Sequence, residues 1–313
     1  MQRLEGRVSF ALVGLLACSC SRKPEGPEPA ASAPTAPGSA AFVQSAARPD
    51  DPPLPAGAKS CGATCTKLES PADAFKWILA FDPAVLAVGE AHAQRGTEDI
   101  ASSTKRFTDD LLPLLSGKAS DVVVELWAPD PKCQKEVKQV ASAQRPVTSA
   151  QAATNQNEYV VLGTRAKEKG IMPWLLRPTC DDFTMLADAG SDVGPMLATV
   201  KRLTEQKLSQ LRERAVADGG PVQLVVAYGG AMHNDIVPSA DMKDYAFGPG
   251  MVRAVGRRYI ELDLIVPEYV KNTPTWQKLP WYAAWQADQG PKDKTTILRT
   301  GDRSFVLVFP AAK

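Results

Sequence analysis

Only two histidines occur in this chain of 313 residues, and both close the same kind of stretch. Val85-Leu86-Ala87-Val88-Gly89-Glu90-Ala91-His92 and Leu224-Val225-Val226-Ala227-Tyr228-Gly229-Gly230-Ala231-Met232-His233 each read as a buried strand running into G-x-x-H. A third apolar run, Asp121-Val122-Val123-Val124-Glu125-Leu126-Trp127, carries a carboxylate near its end. Two imidazoles with one or two carboxylates form a workable ligand set for Zn, Mn, Co or Fe. A divalent metal on His92, Glu125 and His233 would lower the pKa of a bound water and polarise a carbonyl, with Glu90 as a further ligand or general base. Structural roles stand beside this reading. Each histidine can be a hydrogen-bonded turn residue, Glu90 can cap the next helix, and Glu125 can pair with Arg106, Arg165 or Arg177. A carboxylate inside a buried strand is costly unless it is paired or ligating.

Strands and helices must bring these residues together. Ser70 caps and Pro71 starts a helix over 71–81, with Phe75, Ile78 and Leu79 on its apolar face. The strand to Val88 follows. Ile100, Phe107, Leu111, Leu112 and Leu115 repeat at helical spacing over 97–115, and residues 122–126 form a strand buried on both faces. This is a βαβ unit. Further helices are expected over 157–169, 182–189 and 193–216, with strands over 171–176, 222–228 and 258–266. Thr300-Gly301-Asp302-Arg303 joins a hairpin of 296–299 and 304–309. The fold class is α/β, a largely parallel central sheet flanked by helices with an antiparallel C-terminal edge. In such sheets ligands gather at the carboxyl ends of the strands, where Glu90, His92, Glu125 and His233 fall. Glycines 89 and 230 are expected to let the backbone turn sharply there.

Arg3 and Arg7 precede an apolar stretch over 8–17 and Cys18, the layout of a secretory signal too short to span a bilayer. Leu15-Leu16-Ala17-Cys18 resembles the bacterial lipobox, which implies cleavage before Cys18, its lipidation and a membrane anchor; Ser19 favours the outer membrane by the enterobacterial sorting rule. Nine of the 26 prolines fall between Pro24 and Pro55, where large apolar residues are almost absent, so residues 18–57 read as a disordered tether and 58–313 as a single domain. Export permits disulfides, and the pairs expected are Cys61–Cys65 and Cys133–Cys180. A net charge of +1 without a dense basic block argues against nucleic acid. G-x-S-x-G, the P-loop and H-E-x-x-H are missing, so those enzyme classes have no support. Trp276, Trp281, Tyr282 and Trp285 form an aromatic cluster suited to core packing, a pocket or a haem face.

Gly89-Glu90-Ala91-His92, Val122-Val123-Val124-Glu125 and Tyr228-Gly229-Gly230-Ala231-Met232-His233, in that order, resemble the superfamily that joins ChaN-like haem-binding lipoproteins, the TraB and Tiki proteins, and erythromycin esterases. G-E-x-H is most similar to the ChaN and esterase branches, the doubled G-x-x-H to TraB and Tiki, and Tyr159 to Trp174 to the ChaN layout. The resemblance spans about residues 75 to 235 and implies an α/β core whose site is Glu90, His92, Glu125 and His233. The Tiki branch implies divalent-metal peptide hydrolysis, the esterase branch a metal-free histidine base, and ChaN haem binding. The expected function is therefore a lipid-anchored, cell-envelope hydrolase of peptide or ester bonds using Mn, Co or Zn. The alternative is a haem- or iron-binding lipoprotein without catalysis.

Overall fold

Continuous apolar runs become the middle of one sheet, because a strand covered by helices on both faces has no polar side to show. The computed structural model describes residues 50–312 apart from 218, 220–222, 289 and 291. The signal sequence, Cys18 and the tether up to residue 49 lie outside the described residues. Along the chain run β1 (Lys59–Gly62), β2 (Cys65–Leu68), α1 (Pro71–Leu79), β3 (Val85–Glu90), α2 (Ser103–Arg106), β4 (Ala119–Trp127), α3 (Gln134–Thr148), α4 (Asn155–Glu168) and β5 (Met172–Leu176). The second half adds α5 (Cys180–Asp188), α6 (Gly194–Ala217), β6 (Leu224–Gly230), α7 (Gly248–Val255), β7 (Tyr259–Ile265), α8 (Pro274–Gln277), α9 (Tyr282–Ala287), β8 (Thr295–Arg299) and β9 (Ser304–Val308).

Among the described residues these strands form a nine-stranded sheet in the order β1-β2-β8-β9-β7-β3-β6-β4-β5. The six from β9 to β5 are mutually parallel. The edge made by β8, β2 and β1 is antiparallel. The chain runs outward from β3 to β4 and β5, then returns to place β6 between β3 and β4 before β7 forms on the other side of β3. Strand alternation divides the core. Leu86, Val88, Val124, Val226 and Tyr228 pack under α1, α2 and α4 with Phe75, Phe107 and Leu162. Val85, Ala87, Val123, Val225 and Ala227 pack under the helices of the opposite face with Val140, Phe183, Val200 and Met251. The aromatic cluster is core: Trp281, Tyr282 and Trp285 are buried with Cys65, Leu298 and Val306 over the antiparallel edge.

Three local readings change. The helix expected over 97–115 starts at Ser103, because Gly96 adopts φ +86° and Ser102 caps the first turn by accepting Lys105 N–H at 2.9 Å. It then loosens into a π turn (Phe107–Leu111) and tightens into a 3₁₀ turn (Leu112–Leu115), since Pro113 supplies no N–H to a regular ladder. Glycines 89 and 230 are the last or next-to-last residues of their strands and not turn residues. Neither has positive φ. Gly89 is needed for close approach, because a Cβ there would lie 2.6 Å from the Cα of Ala231. The folded unit also takes in residues that composition assigns to the tether: Pro52 O accepts the Trp77 indole N–H at 3.1 Å, and Asp51 pairs with Arg299.

Both expected disulfides are present, Cys61–Cys65 within the first hairpin and Cys133–Cys180 between the starts of α3 and α5. Their sequence separations are 4 and 47. Loop-closure entropy therefore predicts a loss of up to ~2 kcal/mol for Cys61→Ser with Cys65→Ser and up to ~4 kcal/mol for Cys133→Ser with Cys180→Ser. Urea unfolding of the two double variants should show the second as the weaker fold.

Candidate functional site

Parallel register sets Val88, Tyr228 and Val124 level across β3, β6 and β4. Glu90 and Glu125 therefore stand at the carboxyl ends of the two strands that flank β6. Alternation sends them to opposite faces: Glu90 follows Val88 toward α4, and Glu125 follows Val123 toward α6. Gly229 makes room for the second, because a Cβ at that position would fall 2.2 Å from Glu125 Oε2. Both histidines come from the loops just beyond the strands.

Glu90 is buried and accepts from four side chains. His92 Nδ1 lies 2.8 Å from Oε1, and Tyr159 OH donates to the same oxygen at 2.8 Å. Thr104 Oγ1 donates to Oε2 at 2.7 Å and Tyr228 OH at 3.3 Å. Burial pushes the Glu90 pKa up, but the hydrogen bond and charge of His92, with Thr104 and Tyr159, outweigh it and hold the carboxyl below its ordinary value. For His92 burial pushes down, and the bond and charge of Glu90, aided by Glu125, raise it above its ordinary value. Tyr159 and Tyr228 are driven well above the usual phenol range, first by burial and then by Glu90, so both stay protonated donors. A carboxylate accepting at Nδ1 places the proton there and leaves Nε2 as the working nitrogen of His92.

His233 repeats this logic with a backbone acceptor. Its Nδ1–H donates to Tyr245 O at 2.7 Å. Nε2, fully buried, has no hydrogen-bond partner among the described residues and stands 4.0 Å from Glu125 Oε1. Glu125 Oε2 accepts Gly230 N–H at 2.8 Å. The arginines that sequence allowed as its partners sit elsewhere: Arg106 donates to Pro310 O at 2.9 Å and Arg165 pairs with Glu168, and no ion pair joins Arg177 to Glu125 among the described residues. Asp182, in the acidic pair after Cys180, completes the cap of α5 with Thr179 and pairs with Arg202.

Glu90 is the register partner of Gly230 on β3, and the other three of the four expected residues surround that glycine. A Cβ there would lie 3.5 Å from His92 Nε2, 3.8 Å from Glu125 Oε2 and 3.8 Å from His233 Cδ2. They do not share one pocket equally. Glu125 and His233 line a cavity of about 10 Å³ with Asn234, Thr204 and Phe247, and His92 is not in its wall. That is space for one water or ion at most. Sequence reading missed Thr104, Tyr159 and Tyr228 as the holders of Glu90. The signal for Tyr228 was there: a tyrosine in a buried strand, on the face of Glu90, needs a partner for its hydroxyl.

A second set of acids lies behind Asn234. Among the described residues, Asp235, Glu261 and Asp263 are the group whose ligand oxygens fall within 4.8 Å of one another. Ile236 N–H and Ser304 Oγ donate to Glu261, both at 2.6 Å, and Asn234 Nδ2 donates to Asp263 at 2.9 Å. Burial, then mutual repulsion, raises the Asp263 pKa well above its ordinary value, and burial with the Glu261 charge lifts Asp235 to about 7.

Comparison of the chain with family models, curated proteins and solved structures returns no match.

The Asp235 shift carries a pH signature. Its folded pKa of about 7 lies above the ordinary 3.8. The folded state therefore holds a proton that the unfolded state releases, and stability falls as pH rises from about 4 to about 7. Asp235→Asn should flatten this slope, leaving the variant more stable than the parent at pH 7.5 and no more stable at pH 4.5. Urea melts at the two pH values measure it.

Proposed function

We propose that this chain is a lipid-anchored cell-envelope hydrolase of ester or peptide bonds, with a divalent Mn, Co or Zn as cofactor. The Glu90–His92 pair carries the reading: a buried carboxylate, ionised by four donors, holds an imidazole with Nε2 turned toward the space over Gly230 beside Glu125 and His233. The residues fit a metal on one observation, the orphaned and buried Nε2 of His233 facing a carboxylate across a cavity of ion size. Glu125 and His233 would hold it. When bound, such a metal polarises a carbonyl and acidifies a water.

His92 supplies the proton traffic. Nε2 takes a proton from water as the water oxygen bonds to the substrate carbonyl carbon. The imidazolium is stabilised by Glu90, whose charge is already in place and needs no reorganisation. The same nitrogen then returns the proton to the leaving oxygen or nitrogen as its bond to carbon breaks. Tyr159, 3.4 Å from His92 Nδ1 and bonded to Glu90, keeps the pair aligned.

A haem needs a cleft of hundreds of cubic ångströms, so a porphyrin at this site would lie outside the small cavity of about 10 Å³. The two disulfides support an oxidising compartment. No helix of the described residues is long and apolar enough to cross a membrane, and attachment is proposed through Cys18.

A panel of chromogenic esters and peptides, assayed with added Mn²⁺, Co²⁺ or Zn²⁺, should show turnover that Glu90→Gln lowers by ~10²-fold or more in kcat. Turnover untouched by that change sinks the assignment of the pair. Cys18→Ser should move the protein from the membrane to the soluble fraction and abolish labelling by a fatty-acid analogue. Retention and labelling would remove the anchor.

A further inference from the structure

The polar wall of the cavity beside β6 holds three acceptors together with the Thr204 hydroxyl, which can donate or accept. His233 Nδ1 carries the ring proton because it faces the Tyr245 carbonyl at 2.7 Å, so the unpartnered Nε2 offers a lone pair. Glu125 adds a carboxylate 4.0 Å away, with its other oxygen engaged by Gly230 N–H. Asn234 lines the same cavity and is buried. One arm of its amide faces two acceptors, Ala87 O at 3.2 Å and Asp263 Oδ1 at 2.9 Å, which makes that arm the NH₂. The other arm, Oδ1, has no partner among the described residues. A lone pair, an amide oxygen and a carboxylate around a space of about 10 Å³ match a small bare cation better than any substrate oxygen, which would bring a fourth acceptor.

His92 does not belong to this set. Donors to one first-row metal ion sit ~2.0–2.2 Å from it and so no more than ~4.4 Å apart. Glu125 and His233 satisfy that limit. The trio with His92 does not come within even 4.8 Å among the described residues, where the acidic group around Glu261 does. The Glu90 and Tyr159 contacts pin the His92 ring at Nδ1.

The geometry points to a metal site made of His233 Nε2, Glu125 and Asn234 Oδ1, with His92 left free of the metal as the proton carrier. This rests on the proposed hydrolase reading and divides its residues into a holding set and a reacting one. It adds Asn234, which the motif of two histidines and a glutamate does not contain. The carboxylates behind Asn234 have a role in it too, since Asp263 with Ala87 O holds the amide nitrogen and leaves its oxygen unpartnered among the described residues.

The chain has two histidines, which makes the test direct. Co²⁺ is titrated into the purified full chain in detergent, followed by visible absorbance and by the paramagnetically shifted imidazole N–H protons. One such proton per chain is expected, from Nδ1 of His233, and it should vanish in His233→Gln. Asn234→Leu should weaken Co²⁺ binding by ~10-fold or more, whereas Asn234→Asp should retain or tighten it. His92→Asn should leave Co²⁺ affinity within about threefold of the parent, a span of roughly 0.7 kcal/mol. Two shifted N–H protons in the unmodified chain, or parental affinity in a folded Asn234→Leu, overturn the proposed division. The proton count needs no variant to fold. If two protons are seen and hydrolysis persists, this inference alone fails. If folded protein takes up no Co²⁺, the metal-dependent reading fails with it.

Discussion

Burying the ionised carboxylate of Glu90 is the constraint from which the rest of the site follows. Taking such a group out of water costs several kcal/mol even after relaxation, and it is tolerated here because each oxygen receives two hydrogen bonds. The donors come from the loop after β3, from α2, from α4 and from β6. One side chain therefore fixes the spacing of four segments that are distant in sequence. The same bonds keep Glu90 charged, raise the basicity of His92 and aim its free nitrogen. The contacts that join these segments are the ones that set the charge of the pair.

The sheet works as a partition. Its middle strands carry polar groups at their carboxyl ends on both faces, and pleating keeps them apart: Glu90 with its tyrosines on one side, Glu125 with the acids behind Asn234 on the other. Glycines in β3 and β6 let the faces meet at the edge. At Gly229 a methyl group would overlap Glu125, and at Gly89 it would overlap the backbone after β6. His92 and His233 then reach over that edge from opposite loops. Pleating thus keeps the Glu90–His92 pair out of the cavity lined by Glu125, His233 and Asn234.

The acid cluster behind Asn234 weighs against the stability of the fold. Three carboxyls lie together and each is held above its ordinary pKa, with burial as the main cause. Groups of this kind lower stability near neutral pH.

Much of this was legible in the residues. Apolar runs with no polar face marked β3, β4 and β6 as central strands, and the sparse histidines, each three residues after a glycine, fall together at one edge of that sheet. Cysteine pairing was also readable. These are local signals, set by side-chain periodicity and by backbone rules that act over a few residues. What the tertiary structure alone decided is which groups face one another. It put β6 between β3 and β4, brought Tyr159 and Thr104 onto Glu90 from helices with no motif of their own, and exchanged His92 for Asn234 in the wall of the cavity. Spacing along a chain reports which residues share a strand or a helix face. Which oxygen receives which proton depends on contacts between segments that only packing brings together.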